Sequence, residues 1–169
     1  PEEAQKLEKQ IEREWALWAE SNDCDMARLD NFYELQQLAF SNWLQSGDCL
    51  ALLPTSKRKN QPYDTRIQLV EADRLCSPYY IDKLDGSIVN GVEVDSNGEV
   101  IAYYIANRHP LSYEQKEMKW TRVKAYGSKT GRKNVLHLMS RERIDQRRGT
   151  PFLAPVIESL KQLGRYTDA

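Results

Sequence analysis

Three carboxylates, Glu71, Asp73 and Asp82, fall near one expected strand end. Acids grouped this way could hold a divalent metal that activates water for phosphodiester hydrolysis. They fit equally well as ordinary turn residues. The two histidines are far apart: His137 sits in an alternating strand, where packing or hydrogen bonding explains it, and His109 precedes Pro110 in a loop. Cys24, Cys49 and Cys76 form no CxxC pair, so they read as free thiols rather than a zinc site or a disulfide framework. Gly127 to Gly131 contains Lys129-Thr130 without the glycine spacing of a phosphate-binding loop, and no Gly-Xaa-Gly-Xaa-Xaa-Gly run occurs. No catalytic constellation, metal centre or cofactor site is expected.

The more informative chemistry is cationic. Arg141, Arg143, Arg147 and Arg148 crowd a short loop that ends at Gly149, just before a helix. Guanidinium groups bind carboxylates and phosphates in a bidentate fork and are favoured at buried interfaces. These four are therefore candidates for a subunit interface or for contact with a DNA backbone. Without interleaved aromatic residues, base-specific reading is not indicated. The net charge of −1 conceals a polarity along the chain. Residues 1–34 carry ten acidic and four basic side chains, a net of −6; residues 116–148 carry eleven basic and three acidic, a net of +8. Such polarity suits contact between neighbouring copies or a basic face toward nucleic acid.

Several elements must position this loop. Leu7, Ile11, Trp15 and Trp18 recur at helical spacing and predict a helix over residues 2–20, with the stripe as a packing anchor. A second helix is expected from about Asp30, the candidate N-cap, to Ser46, with Phe32, Leu35, Leu38, Ala39 and Trp43 on its apolar face and Gly47 as its stop. Residues 48–54 form a short apolar run suited to a strand, 55–64 a polar loop, and 66–71 an alternating strand. Residues 88–94 and 99–105 flank Asn97-Gly98, a hairpin signal. Strands are expected at 119–125 and 135–139. Pro151 is expected to open the last helix and Pro155 to be tolerated in its first turn, with Phe152, Leu153, Val156, Ile157, Leu160 and Leu163 on one face. Gly149, Pro151 and Pro155 thus form a structural joint. The fold class is α+β: N-terminal helices, a mainly antiparallel sheet with a β-hairpin, and a C-terminal helix.

Length and composition agree with one soluble domain: 169 residues, 40% hydrophobic and 29% charged. No run reaches the roughly 18 apolar residues of a membrane span, and no signal peptide is visible. The leading Pro1 and a last residue in mid-helix predict a piece of a longer chain.

The run Val135-Leu-His-Leu-Met-Ser-Arg-Glu-Arg-Ile-Asp-Gln-Arg-Arg-Gly-Thr-Pro-Phe-Leu-Ala-Pro-Val-Ile157, continuing as Leu160-Lys-Gln-Leu-Gly-Arg-Tyr-Thr-Asp-Ala169, closely resembles the lambda-type tailed-phage portal proteins. The family pattern is an apolar strand with His, then Arg-Xaa-Gly-Gln-Xaa-Arg-Gly-Xaa-Pro, Leu-Ala-Pro and a helix running to Tyr-Xaa-Asp-Ala. Asp145 replaces the usual glycine before Gln146. Trp15, Trp18, the Phe32 to Ala39 run, Trp43, Gly47-Asp48, the Gln68 to Leu75 run, Gly91 to Asp95 and Gly98 to Ile105 follow the same order, so the resemblance spans nearly the whole chain.

The resemblance implies a structural subunit, not an enzyme, of a ring at the capsid vertex of a phage or prophage virion, assembled in the bacterial host cytoplasm. The ring is a homo-oligomer, expected to be a dodecamer, and forms the channel for DNA packaging and ejection. Its implied partners are the terminase large subunit, head-completion or connector proteins, capsid and scaffold, and double-stranded DNA, with no membrane. Residues 1–150 would be a wing-like domain and 151–169 the start of a helix toward the stem, in the same domain. Two alternatives stay open: a metal-dependent nuclease using Glu71 and Asp73, and a simple nucleic-acid-binding module.

Overall fold

Asp48-Cys-Leu-Ala-Leu52 is apolar apart from its first residue, and the structure shows why: it is the central strand, covered on both faces. The computed structural model describes residues 2–80, 87–113 and 117–167, so Asp82 and Lys116 lie outside the described residues. The helices are α1 (Glu2–Ala19), α2 (Phe32–Ser46) and α3 (Ile157–Thr167). The strands are β1 (Asp48–Leu52), β2 (Gln68–Glu71), β3 (Ile88–Val89), β4 (Val92–Val94), β5 (Val100–Ala106), β6 (Trp120–Lys124) and β7 (Val135–Met139). They form two antiparallel sheets, β2-β1-β7 and β3-β4-β5-β6. The α+β class is therefore as expected.

Alternation along β1 sorts its side chains into two cores. Leu50 points toward the second sheet and packs with Val70, Leu75, Val92, Tyr103, Ile105, Ala125 and Val135. Ala51 faces the helices and packs with Cys24, Leu35 and Ile67, with Trp18 and Phe32 at the margin. The layers are thus helices, three-stranded sheet, four-stranded sheet. Burial pushes the Cys49 thiol up to about 11, with the Asp48 charge adding to it, and Cys24 is raised for the same first reason, so both stay protonated.

Several local expectations are corrected. The α2 cap is Asn31, not Asp30. The Asn31 Oδ1 accepts from the Tyr33 and Glu34 amides at 3.0 and 3.1 Å, and the Glu34 carboxylate accepts from the Asn31 amide at 2.8 Å, closing a reciprocal box. Residues 88–94 are not one strand but two, because Asn90-Gly91 takes positive φ at both residues (49° and 85°) and makes a second tight hairpin. The last helix does not open at Pro151. Residues 151–153 are non-helical, a 3-10 turn spans Ala154–Val156 with Pro155 inside it, and α3 starts at Ile157. Finally, the α1 stripe is not core: Leu7, Ile11 and Trp15 are 58%, 59% and 48% exposed. The C-terminal part of α1 is anchored, by Trp15 and Trp18 against Phe32 at 5.2 and 5.7 Å, by the Trp18 indole N–H donating to the Thr65 carbonyl at 3.1 Å, and by the Tyr63 hydroxyl donating to the Glu14 carboxylate.

One buried cation is poorly matched. Arg66 is fully buried; its Nη1 donates to the Thr65 carbonyl at 3.0 Å, while Nε and Nη2 find no partner among the described residues. Desolvating a guanidinium without pairing it costs stability, so Arg66→Met is expected to leave stability unchanged or raise it by about 1–2 kcal/mol in urea denaturation.

Candidate functional site

A carboxylate buried at the head of an apolar strand must find partners, and Asp48 (1% exposed) makes four hydrogen-bond contacts with three residues. It follows Gly47, which ends α2 with a left-handed φ of 89° and donates its amide to the Trp43 carbonyl at 2.8 Å. Asp48 and Leu50 share a face of β1, and Leu50 lies opposite His137 on β7. The His137 ring therefore lies diagonally beside Asp48, with Nε2 3.1 Å from Oδ2 and Tyr103 edge-on at 5.6 Å. The Arg148 guanidinium takes both carboxylate oxygens, Nε to Oδ2 at 2.6 Å and Nη2 to Oδ1 at 3.1 Å, and the Gly149 amide donates to Oδ2 at 3.0 Å. Burial pushes the Asp48 carboxyl up, but the hydrogen bonds from His137 and Arg148, the guanidinium charge and the Gly149 amide outweigh it and hold the group well below the usual carboxylate range.

Arg148 does more than neutralise Asp48. Its Nη1 donates to the carbonyls of Leu75 and Asn90 at 2.6 and 3.0 Å, and its Nη2 to that of Ala72 at 2.7 Å. All five guanidinium N–H groups are thereby used inside the chain. Those acceptors belong to the turn after β2 and the β3–β4 hairpin, so one side chain ties the two sheets together at the end where β7 leaves.

Beside this staple the backbone crosses itself. A Cβ on Gly149 would lie 1.8 Å from the Gly47 carbonyl oxygen, and one on Gly47 would lie 2.4 Å from the Thr150 carbonyl carbon. Only hydrogen at both positions permits that approach. Phe152 then stacks on Trp43 of α2 at 5.7 Å. The segment leading to α3 is thus fixed to the C-terminal end of α2 and the start of β1.

The preceding loop is wound around Gln146. Its Oε1 accepts from the amides of Glu142 and Arg143 at 2.7 and 3.2 Å, and its Nε2 donates to the carbonyls of Arg148 and Ser140 at 2.8 and 3.5 Å. Arg141 donates to the Ile144 carbonyl of the same loop. Arg143 is exposed, and Arg147 is half-buried over the β4–β5 turn, its Nη2 set where a Cβ on Gly98 would meet it at 3.2 Å. The four candidate arginines therefore do not act as one patch. Arg148 is committed inward, Arg141 shapes its own loop, Arg147 lies over the β4–β5 turn, and Arg143 is exposed. Of the joint residues, Gly149 makes the backbone contact, Pro151 follows it, and Pro155 lies in the 3-10 turn.

Of the acids behind the nuclease alternative, Glu71 and Asp73 are described and Asp82 is not. Asp73 lies 3.2 Å from Nε2 of His109, whose Nδ1 accepts from the Leu111 amide at 3.1 Å, and Glu71 is exposed at the end of β2. Among the described residues no group of three or more potential metal ligands assembles. The Asp48 carboxylate has its oxygens taken by donors and is shut away from solvent, so it is a staple rather than a base.

The whole chain, residues 1–169, matches the family described as phage portal protein, lambda family. The chain belongs to the lambda family of phage portal proteins. A search of curated proteins returns no match. Portal membership places the chain among structural virion components at the capsid vertex, with a role in DNA packaging and in an oligomeric ring associated with capsid and terminase. Among the described residues no helix is long and apolar enough to cross a membrane.

The portal joint contains residues that sequence reasoning did not single out as functional: Asp48, Gln146 and Gly47 in its contact with Gly149. A signal for Asp48 was present, because a lone acid opening an otherwise apolar central strand demands a buried cation. Which of many cations answers it could not be read from spacing.

Proposed function

We propose that residues 1–150 of this portal chain form the wing of the subunit and that residues 151–169 begin the helix leading to the stem. In the full-length protein, expected to assemble as a dodecamer, copies surround the channel through which double-stranded DNA is packaged and ejected. The ring docks the terminase large subunit, the head-completion proteins, and capsid and scaffold, and the subunit carries out no catalysis of its own. The observation that carries this reading is the match of the whole chain to the portal family. The joint supports it: Arg148, Asp48 and the Gly47–Gly149 contact give α3 a fixed origin on the sheet framework. A helix launched from a rigid base can be repeated at equal angles around a ring.

Electron microscopy of the full-length protein tests this. Closed rings with twelvefold symmetry are expected, without divalent-metal-dependent DNA cleavage. Monomers under all conditions would sink the reading, and cleavage lost in Asp73→Ala would establish the nuclease alternative. Tight DNA binding by the isolated domain, falling steeply with salt, would instead favour the nucleic-acid-binding module.

A further inference from the structure

Two surfaces left uncovered within the chain carry opposite charge. The first is a groove of about 430 Å³ lined by Leu7, Ile11, Trp15 and Trp18 of α1 with Tyr63 and Thr65. Residues 2–13 of α1 are all exposed, so the apolar stripe is bare over most of its length. Such a stripe gains stability only from a partner surface. At helical spacing Glu3 and Glu14 fall on one side of the stripe and Glu8 and Glu12 on the other, with Lys6, Lys9 and Arg13 on the opposite face. The groove is therefore apolar with an acidic rim.

The second surface is the turn between β6 and β7. Residues 118–141 are the longest run in the chain without Asp or Glu. Arg122 in this run pairs with Glu93, and Lys119 with Glu117. Lys124, Lys129, Arg132 and Lys133 are exposed, and among the described residues none of them is in an ion pair. Tyr126 is 42% exposed and pairs with Lys133 across the turn. The turn is held by its own backbone: the Gly127 amide donates to the Arg132 carbonyl at 2.8 Å and the Asn134 amide to the Ala125 carbonyl at 2.8 Å. At this end of the second sheet the β4–β5 turn adds Asp95 and Glu99, with Arg147 over it, so the surface stays net positive. Other exposed segments are of mixed sign. The loop around Ile144 sets Glu142 and Asp145 against Arg141 and Arg143, and α3 sets Glu158 against Lys161 and Arg165.

Register puts groove and turn at one level. Leu52, the last residue of the central strand, pairs with Gln68 on one side and Val135 on the other. Tyr63 and Thr65 precede Gln68, and the β6–β7 turn precedes Val135. The two surfaces therefore flank the same end of the β2-β1-β7 sheet from opposite edges. Repetition side by side about a ring axis brings one edge of each copy against the other edge of the next.

We infer that the β6–β7 turn of one copy, through Tyr126, Lys129, Arg132 and Lys133, docks on the α1 groove of the adjacent copy. This rests on the ring assembly proposed above and names one of its contacts. The tyrosine ring meets the apolar stripe and the cations meet its glutamate rim. The contact is heterologous, so every subunit offers one turn and one groove, and the series closes when the ring does.

Full-length protein carrying Ile11→Cys and Tyr126→Cys together, oxidised after assembly, is expected to give a ladder of disulfide-linked multimers on non-reducing gels. Each single variant gives none. A second readout needs no cysteine. Lys129→Glu, Arg132→Glu and Lys133→Glu together are expected to raise the protein concentration needed for ring assembly by about ten-fold or more, and adding Glu3→Lys, Glu8→Lys and Glu12→Lys restores it. All six side chains are exposed, so the restored rings also show that the fold tolerates the changes. Intact rings without a ladder would overturn this contact and leave the ring reading standing. Failure of the wild-type protein to form rings would overturn both. A ladder from Ile11→Cys with Ile144→Cys or Leu160→Cys, but not with Tyr126→Cys, would assign the groove to the joint loop or to α3 and overturn the contact. Charge reversal that leaves ring assembly unchanged while weakening retention of duplex DNA would overturn it too, and would assign the turn to phosphates.

Discussion

Arg148→Ala is expected to lower the stability of the fold by about 3–5 kcal/mol in urea denaturation, because removing one partner of a buried pair strands the other. The carbonyls of Ala72, Leu75 and Asn90 lose the guanidinium donor, and the Asp48 carboxylate loses its charged partner and keeps only His137 and the Gly149 amide. Arg148→Lys is expected to recover only a small part, since an ammonium has three donors and no planar fork to span a carboxylate and three carbonyls. A double-mutant cycle with Asp48→Asn isolates the pairwise term, and a coupling within error of zero would refute the staple. The same pair makes the fold acid-labile. The folded-state pKa of Asp48 lies below its unfolded value near 4. Its contribution is therefore fully present above that unfolded value and is lost as the pH falls below about 4 toward the depressed folded value. Asp48→Asn should flatten this part of the stability–pH curve, besides lowering it.

Gly149→Ala is expected to be nearly as damaging, at about 3 kcal/mol or more, although it adds a single methyl group. That methyl would sit 1.8 Å from the Gly47 carbonyl oxygen and 2.4 Å from its carbon, so backbone must move. Gly47→Ala adds the cost of a left-handed φ of 89° to a clash with the Thr150 and Pro151 backbone. Gly164→Ala is the control. A Cβ there meets nothing within 4 Å, and in a helix the change should be neutral or stabilising by up to about 1 kcal/mol. Separating the strands at Gly47 and Gly149 also loosens the Trp43–Phe152 contact that aims the segment before α3. Ring assembly of the full-length Gly149→Ala protein is therefore expected to fail at temperatures where the fold still shows native far-ultraviolet circular dichroism. Unimpaired rings would show that the joint can give without consequence.

The sequence by itself determined whatever local chemistry dictates. Helical spacing placed α1 and α2, Asn97-Gly98 placed one hairpin, and Gly47 stopped α2, because each depends on neighbours within a turn of chain. The ordered motifs from Trp15 to Pro155 carried the family. Asn90-Gly91 was equally local and equally legible, yet an apparently continuous β-branched run hid it. Only the tertiary structure decided the rest. Periodicity announces that a stripe is apolar but not what covers it, so the α1 stripe read as core and proved bare. Composition announces four arginines in one loop but not their partners. Asp48 and Arg148 are 100 residues apart in sequence, and only the register that sets Asp48 opposite Met139 brings the guanidinium to the carboxylate. The contact of Gly47 with Gly149 is likewise a meeting of backbones, in which side-chain pattern plays no part.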